Sequence, residues 1–404
     1  MRRLEILDGM RGYFLVFMML NHLTFTGGYL LVKFNHSELG YVQDAQGFVF
    51  LSGLLVGMVY ARRMLKEGYA EGARKIWKRA FEIYRYAAGS LIIIMALGLV
   101  LKDSATYWEP WLWSLASHDP VYAVASLLLL HQPTYMDILP QYIIYMLVAP
   151  PLVWLCVTGR WMWVVVWSVV LWAAVQLSLH YPSASGIHYM LSWVHEGQIL
   201  RTAFNVLAWQ IVFMSGLVLG SLTAAQKIDW KKVFAPDDTA LAWGAFVLVL
   251  FFMVIRLGFT FEVMPEDMGQ RFRNLDNRVE FSLVYLLNFM ATGYLVAWLV
   301  AAGPAAGNGI VRALGNGLRW IFTLPFLRLI GRHSLQVYAW HVIVIYLLKG
   351  FEYHHGPFGE LTKTGIALLA IASLAIPAIY RERASLFGKT ALAQRDAGSV
   401  ANRR

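Results

Sequence analysis

The sequence predicts an all-α protein, a polytopic integral membrane helical bundle with about ten spans and both termini cytoplasmic. Three observations carry this. Of 404 residues, 58% are hydrophobic and only 14% are charged, against roughly one-quarter charged in soluble domains. The apolar residues gather in runs such as 240–259, 281–302 and 361–379, which approach the ~20 residues needed to cross a bilayer. The net charge of +10, from 34 basic and 24 acidic residues, concentrates at 2–3, 62–85, 227–232, 312–332 and 381–404. These clusters lie between or beyond the apolar runs, which is a positive-inside pattern and not a nucleic-acid surface.

Taken in order, the spans fall near 10–31, 45–61, 84–101, 138–157, 161–179, 203–224, 239–259, 281–302, 333–349 and 363–380. This register puts every basic cluster on one side. Residues 1–9 carry Glu5 and Asp8 and no small-residue cleavage site follows, so the first span is expected to stay in the chain. Arg256 sits near the end of its run, where it can snorkel. Segment 121–130 is apolar but about half the spanning length, so it reads as re-entrant or interfacial. Counting it as a span would carry Arg160 and the 227–232 cluster to the outside. The loops 32–44, 102–137, 180–202, 260–280 and 350–362 then face outward. With no repeat or linker, 1–381 reads as one integral domain, and 382–404 as a basic, disordered cytoplasmic tail able to touch anionic lipid. Cys156 is the single cysteine, which excludes an intramolecular disulfide and points to packing.

Polar residues inside spans are costly and each asks for a reason. His22 follows Arg11 by eleven residues, about 16 Å along a helix and nearly on the same face. His22 is either a histidine satisfied by a neighbouring helix or a general base facing a cavity, since imidazole titrates near neutral pH. His341 repeats the arrangement, deep in its span with Arg332 at the inner end. Guanidinium at the cytosolic mouth suits a phosphate-rich donor, because Arg grips phosphate in bidentate fashion; snorkelling to lipid headgroups is the alternative. Asp44 and Gln46 precede one span and Asp137 another. An acid there either orients an imidazole, binds sugar hydroxyls or caps a helix. Trp209 and Gln210 supply an indole and an amide within the sixth span, for interhelical bonding or substrate contact. His180, His188 and His195 with Glu196 fit no zinc spacing, so no metal is expected. Gly53 and Gly57 form a Gly-x-x-x-Gly that indicates close helix packing. No phosphate-binding loop, dinucleotide fingerprint or nucleophile elbow occurs.

Five stretches in order carry a resemblance: DGMRGY at 8–13 running on to Asn21 and His22, GYVQDAQGFVFLSG at 40–53, HQPTYMDILP at 131–140, FNVLAWQ at 204–210 and GRHSLQVYAWH at 331–341. Together they resemble the OpgC proteins, membrane proteins linked to succinylation of osmoregulated periplasmic glucans and related to a larger membrane acyltransferase superfamily. The resemblance implies a multi-pass protein of the bacterial inner membrane that uses a cytosolic acyl-CoA co-substrate, succinyl-CoA by the family's usual chemistry, with no permanently bound cofactor. It also implies a periplasmic glucan or other envelope polysaccharide as acceptor. His22 matches the family's first-span histidine and Arg11 its arginine. Where the family pattern has an acid before the small residue preceding Phe-Val-Phe, Gln46 stands here, and Asp44 is the nearby substitute. The expected reaction has Arg11 and Arg332 holding donor phosphates while His22, aided by Asp44 or His341, deprotonates the acceptor hydroxyl. Gln46, Asp137, Trp209 and Gln210 are the candidate substrate contacts. The rival readings are O-acetylation of another envelope polysaccharide and a proton-coupled transporter, against which no inverted repeat is evident.

Overall fold

In the computed structural model the described residues are 2–194, 203–273 and 275–384, and they form helices joined by loops, with no strand among them. Chain order is α1 Arg2–His22, α2 Asp44–Glu67, α3 Tyr69–Val100, α4 Ser104–Leu112, α5 Pro120–Leu127, α6 Ile138–Val157, α7 Trp161–Gln176, α8 Tyr181–Val194 and α9 Val206–Ala224. It continues with α10 Trp230–Val233, α11 Ala240–Thr260, α12 Glu266–Arg273, α13 Leu283–Ala301, α14 Gly309–Phe322, α15 Pro325–Arg332, α16 Ser334–His355 and α17 Glu360–Ser373.

Eight of these helices are long and apolar enough to cross a membrane: α2, α3, α6, α9, α11, α13, α16, and α17 with its continuation to Ala384. The apolar α7 is shorter. Helix α1 has the length, at 21 residues, but Glu5, Asp8 and Arg11 dilute its hydropathy. These ten occupy the ten expected places, with boundary corrections at α1, α2, α3 and α16; α2, expected over 45–61, runs on to Glu67. The first span was expected over 10–31, whereas α1 ends at His22 and the chain turns through Gly27 and Gly28, both at positive φ (78° and 69°), where glycine is the least strained residue. The third was expected at 84–101, whereas α3 begins at Tyr69. Its first half is amphipathic, burying Ile76, Ala80 and Ile83 beneath a basic surface, so a hydropathy window sees only the second half. The ninth was expected to stop at 349, whereas α16 runs to His355. Helix α5, with eight residues, spans about 12 Å and cannot cross, as its short apolar run implied.

Close backbone contact sets the packing around the centre. Gly53 and Gly57 of α2 lie against the carbonyls of Phe213 and Leu217, while Gly216 and Gly220 of α9 lie against those of Phe50 and Leu54. A Cβ at any of the four would collide with backbone, so the two helices seat on reciprocal small-residue stripes. Helix α1 packs on α15 in the same way through Gly12 and Gly331, and its Gly9 lies against the Phe322 carbonyl at the end of α14. The core between them is filled by Leu15, Met19, Met146, Trp209, Phe213 and Tyr338, all nearly inaccessible.

Candidate functional site

Helix α1 ends where α16 carries its buried histidine, and the two imidazoles meet. His22 Nδ1 lies 3.0 Å from His341 Nε2, with the rings stacked at 5.2 Å between centroids. His341 Nδ1 faces the Tyr338 carbonyl at 2.5 Å. A carbonyl only accepts, so Nδ1 of His341 carries the hydrogen. With the pair neutral, Nε2 of His341 then holds a lone pair and accepts from Nδ1–H of His22. That leaves the lone pair of His22 on Nε2, free of this chain. The tautomers follow from the partners, by the usual hydrogen-bond logic.

The loop before α6 covers the pair. Tyr135, at φ +68°, stacks on His22 with centroids 4.2 Å apart. A tyrosine in left-handed backbone costs free energy and persists only when surroundings fix it. Two hydroxyls from α16 do so: Tyr338 donates to the Tyr135 carbonyl at 2.7 Å and Tyr346 to the Thr134 carbonyl at 3.0 Å. The Tyr135 hydroxyl faces the Thr24 side chain. Asp137 is the N-cap residue of α6 without a side-chain cap bond, and its charge acts on Tyr135 and Tyr338, the rings flanking the imidazoles.

Asp44 is buried at the start of α2, but its partners are others. Its Oδ2 accepts from Asn21 at 2.5 Å and from Asn35 at 3.2 Å, and its Oδ1 stands 3.7 Å from His36 Nε2. The Tyr13 hydroxyl lies 3.3 Å from the other His36 nitrogen. His36 lies in the loop between α1 and α2, and burial pushes its imidazole down to about 4. Asp44 therefore braces Asn21, the residue beside His22, while His341 is the group that touches His22.

Arg11 lies deeper toward the basic end, donating through Nη2 to Ser334 Oγ at the start of α16 with its guanidinium 5.6 Å from the Phe48 ring centroid. Arg332 is half exposed and pairs with Glu382 at 2.9 Å. Both guanidinium charges act on Asp8. Gln46 is inaccessible and donates to the Tyr41 carbonyl at 3.3 Å. Gln210 is bonded twice to Ser168 of α7, at 2.8 and 2.7 Å. Trp209 donates to the Arg278 carbonyl at 3.1 Å and so ties down the 275–282 loop. Of the outer histidines, His180 faces Glu280 at 3.4 Å, and His195 and Glu196 lie outside the described residues.

Sequence reasoning missed Tyr135, His36, Asn35 and Arg278, whose charge acts on His22, Asp44 and Tyr135. The first three sit in polar loops where their types are ordinary. Only the aromatic excess of the outer loops hinted at Tyr135.

The fold and this centre define a multi-pass membrane protein with a buried pair of contacting imidazoles inside its bundle. A family model described as OpgC protein matches residues 2–385, nearly the whole chain, and the chain belongs to that family. Membership makes it a glucan-modifying acyltransferase in general terms, with a glucan or related polysaccharide as acceptor. No curated protein and no solved structure matches it.

Proposed function

We propose that the protein is an inner-membrane O-acyltransferase that moves an acyl group, succinyl in the first instance, from a cytosolic acyl-CoA to hydroxyls of a periplasmic glucan. The observation that carries the reading is the directed chain from the Tyr338 carbonyl through His341 to His22. It leaves His22 Nε2 as a base with a defined tautomer, as general base catalysis requires. The acceptor hydroxyl gives its proton to Nε2, its oxygen bonds to the thioester carbonyl carbon, the C–S bond breaks, and the departing thiolate recovers the proton. The positive charge that develops on His22 is shared through Nδ1–H with His341, whose Nδ1–H is anchored on the Tyr338 carbonyl. Arg11 and Arg332 hold donor phosphates at the basic end, which the positive-inside pattern makes cytoplasmic. Asp44 keeps the end of α1 in register through Asn21. Gln46, Trp209 and Gln210 act by fixing backbone and helix contacts, and Asp137 by its charge beside Tyr135.

The test supplies the purified protein with carbon-13-labelled succinyl-CoA and a neutral glucan and weighs the glucan by mass spectrometry. Labelled succinyl esters on the glucan are expected. Unchanged glucan beside intact donor would remove the reading.

A further inference from the structure

Above the imidazole pair, a groove of about 210 Å³ leads away from His22 toward the end of the bundle opposite the basic clusters. One wall is a single face of α16: Ile345, Leu348, Lys349 and Glu352 follow His341 at helical spacing, so they climb about 16 Å from the imidazoles. The other wall is Thr24 and Trp111, with His22 as the floor. The strap after α1 that carries Thr24 is built in place by buried charge. Glu352, 6% exposed, accepts from the Thr26 N–H at 2.6 Å. Lys363, 7% exposed, donates to the carbonyls of Thr26 and Gly28 at 2.7 and 2.8 Å, and Glu360 accepts from the Leu30 N–H at 2.5 Å. Burying such groups is costly unless they are bonded, and here their bonds hold the groove wall fixed.

We propose that this groove is the port through which an uncharged sugar hydroxyl reaches His22. The inference rests on the acyl-transfer reading above and names where its acceptor binds. Two features select an uncharged polyol. Lys349 and Glu352 face each other at 3.4 Å, so the groove carries both signs and no net charge. Together they offer donors and acceptors to hydroxyls. Trp111 adds an aromatic wall, with the Lys349 ammonium 5.9 Å from its ring centroid, and the Trp111 ring meets the Tyr135 ring edge-to-face at 5.1 Å, so that aromatic surface continues to His22.

The experiment measures binding of an uncharged oligoglucose to the full-length protein without donor, by calorimetry, for wild type, Leu348→Trp and Lys349→Met. Leu348→Trp fills the groove, and its dissociation constant is expected to rise roughly tenfold or more, with size-exclusion and melting profiles reporting the fold. Lys349→Met is expected to weaken the same binding severalfold and to impair transfer equally from succinyl-CoA and acetyl-CoA. A folded Leu348→Trp protein that binds the oligosaccharide like wild type overturns the port while leaving acyl transfer by wild type standing. A Lys349→Met defect confined to succinyl-CoA also overturns it, since it would assign the groove to the donor's carboxylate. Absence of transfer by wild type sinks the acyl-transfer reading itself.

Discussion

At the scale of residues, both nitrogens of His341 are engaged, so in the proposed reaction it orients His22 and is not itself the base. His341→Gln is therefore expected to lower kcat for glucan acylation partially and to shift its pH profile, leaving the acceptor KM close to wild type. A loss as complete as that of His22→Gln would make the two equal partners. His36 gives a pH dependence of stability. Its folded imidazole is held near 4 by burial, against an ordinary value of 6.5, with Tyr13 and Asp44 as the groups facing it. Between those values the unfolded chain binds the proton and the folded chain does not. The stability present above pH 6.5 is thus lost as pH falls toward 4, by at most about 1.4 kcal/mol per pH unit. Measured in detergent, the melting temperature of wild type should fall relative to that of His36→Gln as pH is lowered through this window. Both intramembrane histidines were legible in the sequence as polar residues in apolar spans. Their contact was not, because 319 residues separate them. Asp44 was legible too, but its brace on Asn21 depends on Asn35 and His36, ordinary residues in a polar loop.

At the scale of elements, the seating of α2 on α9 is the joint that fixes the start of α2 and with it Asp44. Gly53→Leu should lower the melting temperature strongly, since overpacking a close contact costs typically 1–3 kcal/mol or more. Gly244→Ala in α11, where a Cβ meets nothing within 4 Å, should be neutral or slightly stabilising. Comparable melting for the two variants would mean that the α2 and α9 backbones are not in close contact. The sequence showed half of this joint, the Gly-x-x-x-Gly of α2, while its partner in α9 passed unnoticed because its glycines sit inside an unbroken apolar run. The apolar spans themselves were read nearly to the residue, as α6 shows, since lipid demands length and hydropathy and little else. The errors fell where polar residues do the folding: the first half of α3, and α1, whose end is set by the glycine turn after His22. Arg11 belongs to this scale because it links α1 to α16 through Ser334. Arg11→Lys keeps the charge and loses the fork, so donor affinity in the purified protein should fall while the fold persists. Unchanged donor affinity would remove Arg11 from the donor site.

At the scale of the whole molecule, the account requires two substrates to meet from opposite faces. Reporters at Lys66 and Lys231 should be cytoplasmic and those at Ser114, Ser185 and Glu266 external. A cytoplasmic Ser185 would mean that the 121–130 segment crosses after all. The most direct test of the central claim uses proteoliposomes oriented with the basic end outward, glucan sealed in the lumen and labelled acyl-CoA added outside. Wild type is expected to place acyl groups on the enclosed glucan. His22→Gln, which keeps similar volume and hydrogen-bonding capacity but has no base near neutral pH, is expected to place none while showing normal insertion and melting. A well-folded His22→Gln protein that acylates the enclosed glucan at near wild-type rate would contradict the account and return His22 to a structural role.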